Sequence, residues 1–286
     1  MGEIAKKLHR RLAAKAHTLP TTEPKLKPGE LLPGGIKPVA MLIKEGHDPF
    51  HAVYVFMQNM TAHFAETIAG LPEMEPWAKA VAKAEDEYMP SGPPMSPLSG
   101  SFFWMWALFD LCIGKSQDTV GECQIAANDV IWMNDHQLDA AKKMSVSRMG
   151  IYENVGTAGP FVLLRELITD ANYSALCPTG YRGHVGELWY VRLLPPLEPQ
   201  ITRSWVAMTT PYVLLDASKT DWIDFLRRTM LQCKGADELK RLYNLLKYGL
   251  DQNYWNEFVF KAYVNYQADA VFLTGVPDMK ATLPHA

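Results

Sequence analysis

His47 and His51 stand four residues apart in the segment HDPFH, and His63 precedes Glu66 by three. A spacing of four on a helix can present two imidazoles to one zinc ion, and such an ion can activate water for hydrolysis. His47, His51, His63 and Glu66 are therefore the candidate metal ligands, and the activity they suggest is that of a metal-assisted hydrolase with a site expected between the helices and the β-meander. Geometry weighs against a single cluster. Asp48-Pro49 reads as a helix start, with Asp at the cap and Pro in the first turn, so His47 lies before the helix. His51 and His63, twelve residues apart, are separated by about 120° around an ideal helix. They converge only through a bend or another element.

Other chemical patterns are weaker. Glu122, Asp129 and His136 recur every seven residues, with Asp118 and Asp139 nearby. Di-iron bundles use Glu-x-x-His pairs, which are missing here, so a solvated acidic face is the expectation. Gly114-Lys115-Ser116 resembles the end of a phosphate loop, but Phe109 occupies the place of its first glycine. Gly180, Gly183 and Gly186 recur every third residue in TGYRGHVG. A hairpin loop with glycines at positive φ is the expected reading. The competing one is a loop where bare amides, Arg182 and His184 meet an anion. Cys177 lies seven residues before His184, but buried cysteines are far more often structural than reactive. No nucleophile elbow and no cofactor motif is present, and no cofactor is expected.

These residues must be positioned by two kinds of element. Helices are predicted over 3–17, from Pro49 to about Ala69, and over 73–88, 98–114 and 117–144. Near Arg148 the texture changes to short aromatic and β-branched runs at 150–155, 159–167, 173–177, 186–194 and 204–215. Their punctuation by Gly, Pro, Asn and Asp suits a meander or small barrel. Pro211 demotes its end of the last run to an edge or bulge. Helices return from Asp221, at 236–249 and at 251–267, with a last short strand at 270–274. The expected fold class is α+β: mostly helical, with a central five-stranded antiparallel β-meander or small barrel flanked by helical segments. The corresponding divisions are a basic N-terminal helix and Pro-rich arm (1–47), a helical region (48–147), the β-unit (148–217) and a C-terminal helical region (218–286).

The chain has 286 residues, with 28 Lys plus Arg against 31 Asp plus Glu, for a formal charge of −3. That composition is ordinary for a globular protein and excludes collagen-like and fully disordered chains. Four scattered cysteines give no zinc or disulfide framework, and a cytoplasmic setting is expected. The most apolar stretch, SFFWMWALFDLCIG, is too short to span a bilayer and carries Asp110. The charge is segregated: residues 1–44 carry +6 and residues 45–100 carry −6. In the N-terminal helix Leu8 and Leu12 extend an aliphatic stripe among Lys6, Lys7, Arg10 and Arg11. This helix is the candidate interaction element, packing on its own chain or on a partner, and the Pro-rich 18–38 stretch would let it reach away. A further alternative is a nucleic-acid accessory protein using the basic arm, with the β-region aromatics Tyr181, Trp189, Tyr190 and Trp205 for stacking. Nucleic acid is a disfavoured partner, however, because residues 148–217 carry a net −1 around their aromatics and arginines. The leading expectation is a non-catalytic protein acting through protein–protein contacts, as a homo-oligomer or a component of a complex.

Overall fold

The computed structural model describes residues 1–15, 30–89, 100–131, 133–198 and 201–285. Most of the expected Pro-rich arm (18–29) and of the expected linker (90–99) lies outside the described residues. The chain divides into two compact units, Met1–Ala82 with Met105–Val146, and Lys83–Trp104 with Ser147–Ala286. The fold is α+β, with helices flanking a small closed barrel. No described helix is long and apolar enough to cross a membrane.

The first unit is helical. It holds α1 (Glu3–Lys15), α2 (Val39–Lys44), α3 (Pro49–Ile68), most of α4 (Glu75–Tyr88) and the end of α5 (Gly100–Phe109). It also holds α6 (Val120–Ala126), α7 (Asn128–Ile131) and α8 (Asp135–Val146). The cap expected at Asp48 forms: its side chain accepts from the amides of Phe50 and His51, with Pro49 in the first turn. Helix α3 then buries Tyr54, Met57, Phe64 and Ile68 along one face. Thr61 donates to Gln124 Oε1 at 2.6 Å, tying α3 to α6. The single helix expected over 117–144 is broken into three. Ala127 leaves helical geometry at φ −94° and ψ 10°, and Asn128 Oδ1 takes the amide of Met133. Asn134 and Gln137 then exchange backbone-to-side-chain bonds that open α8. Asn favours such local bonds over continued helix.

The second unit is built on one eight-stranded sheet. Its strands are β1 (Met149–Ala158), β2 (Phe161–Glu166), β3 (Asn172–Leu176), β4 (Leu188–Leu194), β5 (Trp205–Ala207), β6 (Tyr212–Leu215), β7 (Tyr263–Tyr266) and β8 (Val271–Thr274). The order β1-β2-β3-β5-β4 closes because β4 also pairs with β1. The expected antiparallel arrangement is corrected in one respect: β3 and β5 run parallel. Five strands in a ring cannot all be antiparallel, because strict alternation of direction needs an even number. Val162, Leu164, Ala175, Trp189, Val191 and Leu193 fill the core of the barrel.

β4 also pairs with β6, which leads to β8 and then to the outermost strand, β7. The strand expected over 204–215 is therefore two strands serving different parts of the sheet. Between them, Thr209 Oγ1 accepts the amide of Arg192, and the amide of Thr210 donates to Ser101 Oγ. Pro211 has no amide to donate, which suits a break here. Helices α9 (Lys219–Met230), α10 (Glu238–Tyr248) and α11 (Tyr254–Ala262) complete the unit. Ser218 and Asp237 cap the first two, and Gly249 ends α10 at φ 69°. The helix expected to run to 267 stops at Ala262, because YVNY pairs with β8 instead. Its aromatic and β-branched residues prefer a pleated strand once a neighbour is present.

Candidate functional site

Of the expected metal set, the structure brings His47 and His51 together. Their Nδ1 atoms are 3.3 Å apart and their ring centroids 5.2 Å apart, with the rings tilted by 48°. His47 sits just before the Asp48 cap and His51 in the first turn of α3, so the chain entering the helix folds one ring against the other. Both rings are half-buried. Burial, and then the neighbouring imidazole, push the His51 pKa down to about 4, so its ring is neutral at neutral pH. His63 and Glu66 form a separate pair, with Nδ1 and Oε2 3.7 Å apart. Among the described residues, no three His, Cys, Asp or Glu side chains form a group that could hold a metal ion.

The glycine-rich loop between β3 and β4 is a firmly anchored turn. Gly180, Gly183 and Gly186 all have positive φ, at 87°, 58° and 92°. Buried Asn154 donates from Nδ2 to the carbonyl of Arg182, and the amide of Gly186 donates to the Asn154 carbonyl. Glu187 Oε2 accepts from the Tyr181 hydroxyl and from Trp189 Nε1. A Cβ at Gly183 would stand 2.1 Å from Glu187 Oε2, so that glycine is required by contact as well as by φ. Arg182 is exposed and donates to the carbonyl of Gly159 at 2.7 Å, while His184 stands exposed. The Cys177 thiol lies 3.4 Å from the Thr179 hydroxyl. Burial raises its pKa, the opposite of what a nucleophilic thiolate needs.

The expected stacking aromatics of the β-unit are mostly interior. Trp189 and Tyr190 are fully buried. Tyr181 packs on Trp189, and Tyr173 lies edge-on to both Tyr152 and Trp205. At this end of the β-unit Glu166 is buried, pairs with Arg148 at 2.8 Å and accepts from Thr169.

The N-terminal helix packs on its own unit, against α6 and α7. Ala5 and Leu8 are buried, Leu12 is half-buried, and Lys6, Lys7, Arg10 and Arg11 are exposed. Lys7 pairs with Glu3, Arg11 with Glu73 and His9 with Asp129. Exposed pairs of this kind contribute about 0–1 kcal/mol, whereas burying a leucine contributes about 1.5–3 kcal/mol. The apolar contact therefore does most to hold the helix. The acidic stripe is spent on structure. Asp118 Oδ2 accepts from the amides of Ile4 and Ala5, Glu122 completes a capping box with Thr119, Asp129 meets His9, and Asp139 pairs with Lys143. Sequence reasoning missed both this capping role of Asp118 and the outermost strand β7. Residues 3–5 and 118 are too far apart for any local pattern to join them. The aromatic and β-branched residues of YVNY are the available signal for β7. No family model, no curated protein and no solved structure matches this chain.

Proposed function

We propose that the chain acts through protein contacts, as a symmetric dimer joined edge to edge through β7. The observation behind this reading is the open side of β7. The strand ends the sheet, pairs among the described residues only with β8, and exposes Val264 by 42 % and Tyr266 by 52 %. An edge of free amides and carbonyls is a template for another strand, and proteins usually guard it with Lys, Pro or a covering element. Tyr263–Tyr266 has neither Lys nor Pro. Pairing with a second copy about a two-fold axis uses one patch twice. Antiparallel pairing centred on Asn265 sets Val264 of each chain opposite Tyr266 of the other, a favourable β-branched and aromatic pair. A bulge between Tyr263 and Asn265 interrupts the register with β8. Bulges blunt edges, so the expected dimer is weak, on the order of micromolar. The cytoplasm is the compartment that goes with this reading, supported by four cysteines that are all free thiols.

Sedimentation equilibrium tests the proposal. At tens of micromolar the mass should approach twice 32.2 kDa, and Val264→Lys should return the monomer with an unchanged circular dichroism spectrum. A wild-type chain that stays monomeric, or a variant that dimerises equally well, overturns it.

A second reading rests on strand order. A five-stranded ring in the order 1-2-3-5-4, with strands 3 and 5 parallel, is the connectivity of barrels that bind oligonucleotides or oligosaccharides on the face of strands 2 and 3. Here that outer face carries Phe161, Leu163 and Leu176, all half-buried, with Arg165 and Asn172 beside them. Fold alone does not carry function, and the inward-turned aromatics weigh against stacking. A low-salt mobility-shift titration with single-stranded DNA and RNA decides it, and no shift removes this reading.

A further inference from the structure

We propose that His47 and His51 form a two-imidazole site for a divalent transition-metal ion. The argument is geometric. Two nitrogens bound to one tetrahedral ion at about 2.0–2.1 Å lie about 3.3–3.4 Å apart. The two Nδ1 atoms are already 3.3 Å apart. The contact between them also turns the two Nδ1 positions toward each other, as a shared ligand requires. In the metal-free pair one Nδ1 carries the hydrogen and the other accepts it. On binding an ion the donor ring shifts to its Nε2–H tautomer, so both Nδ1 lone pairs face the metal and no proton is lost.

The positions of the rings are set by the backbone. Asp48 Oδ1 accepts from the amides of Phe50 and His51, fixing the first turn of α3. The amide of His47 donates to the carbonyl of Leu42, which holds the preceding residue in place. The backbone can thus stay in place while the two rings tilt to aim both lone pairs at an ion lying beside the line between them. It supplies two ligands and leaves the other positions to water, since no third metal-binding side chain joins them among the described residues. Neutral imidazoles with open positions suit Zn²⁺, Ni²⁺ and Cu²⁺, with Cu²⁺ bound most tightly and Mg²⁺ or Ca²⁺ not at all. Open positions also make the ion available to an incoming ligand.

The experiment is calorimetric titration of the full, tag-free chain with Zn²⁺ and Cu²⁺, combined with electron paramagnetic resonance of the Cu²⁺ form. The expected result is one ion per chain, with coupling from two nitrogens. His47→Gln and His51→Gln should each weaken binding by ~10-fold or more, and the spectrum should show one nitrogen fewer. His136→Gln, at an exposed position elsewhere in the same unit, should bind like the wild type. His47 lies outside the helix, so His47→Gln remains informative even where His51→Gln disturbs folding. A wild-type chain that binds neither ion overturns the proposal. So does binding that His47→Gln leaves unchanged.

Discussion

Asp118 Oδ2 accepts from the amides of Ile4 and Ala5 and from the Ser116 hydroxyl, and Ser116 Oγ in turn accepts the amide of Glu3. A helix start leaves amides without partners, and here a residue from another part of the chain supplies the carboxylate a local cap would have given. The fit is close, since a Cβ on Gly2 would stand 1.7 Å from Asp118 Oδ1. Asp118→Ala should therefore lower stability by about 1–3 kcal/mol, read as a shift of the urea midpoint at constant slope. At this scale the sequence is legible where partners are near. The spacing of His47 and His51 and the cap at Asp48 can be read from a few adjacent letters. The bond from Ile4 to Asp118 cannot, because nothing in either segment names the other.

Helix α9 is tied to the barrel by charge. Glu153 on β1 accepts from Arg165 on β2 at 2.6 Å and from Lys219 at the start of α9 at 2.7 Å. The hydrogen bonds from Arg165 and then Lys219 hold its carboxyl below the ordinary value of 4.5. The folded state thus prefers the ionised form more than the unfolded state does. Its stabilisation is present above the unfolded pKa and is lost as pH falls through the lower, folded one. The wild-type chain should lose stability in this acid range, and Glu153→Gln should flatten that part of the profile while leaving α9 folded. Urea unfolding across the pH range from neutral to strongly acid measures both. Elements are legible where a local pattern is strong: Asp48-Pro49 opens α3, and short aromatic and β-branched runs mark β1–β4. YVNY reads as helix because it follows a helical pattern without a break, and the strand preference of its aromatic and β-branched residues prevails only beside β8.

Each compact unit draws on two stretches of chain, which no linear reading of 48–147 and 148–217 as separate regions conveys. The second unit needs the segment before the β-region. Phe102 packs edge-on to Tyr212 and tilted against Tyr190, and Ser101 Oγ accepts the amide of Thr210. A fragment beginning at residue 147 lacks that cover and removes the Phe102 ring from Tyr190 and Tyr212. It should show a broad, weakly cooperative thermal transition and a reduced near-ultraviolet circular dichroism signal compared with the full chain. A sharp transition for the fragment would mean that the sheet and α9–α11 suffice. The charge segregation visible in the sequence has its counterpart in Arg11 with Glu73, although the apolar seat of Leu8 carries more of the energy.

The distant cap on α1 also bears on the order of events during synthesis. The bond from Ile4 to Asp118 joins residues 114 apart. At about 5–20 residues per second, roughly 6–23 s pass between the emergence of Ile4 and that of the carboxylate that caps α1. Helix α1 thus leaves the ribosome well before the residues that cap it and cover its apolar face. Until then its apolar face waits for a partner.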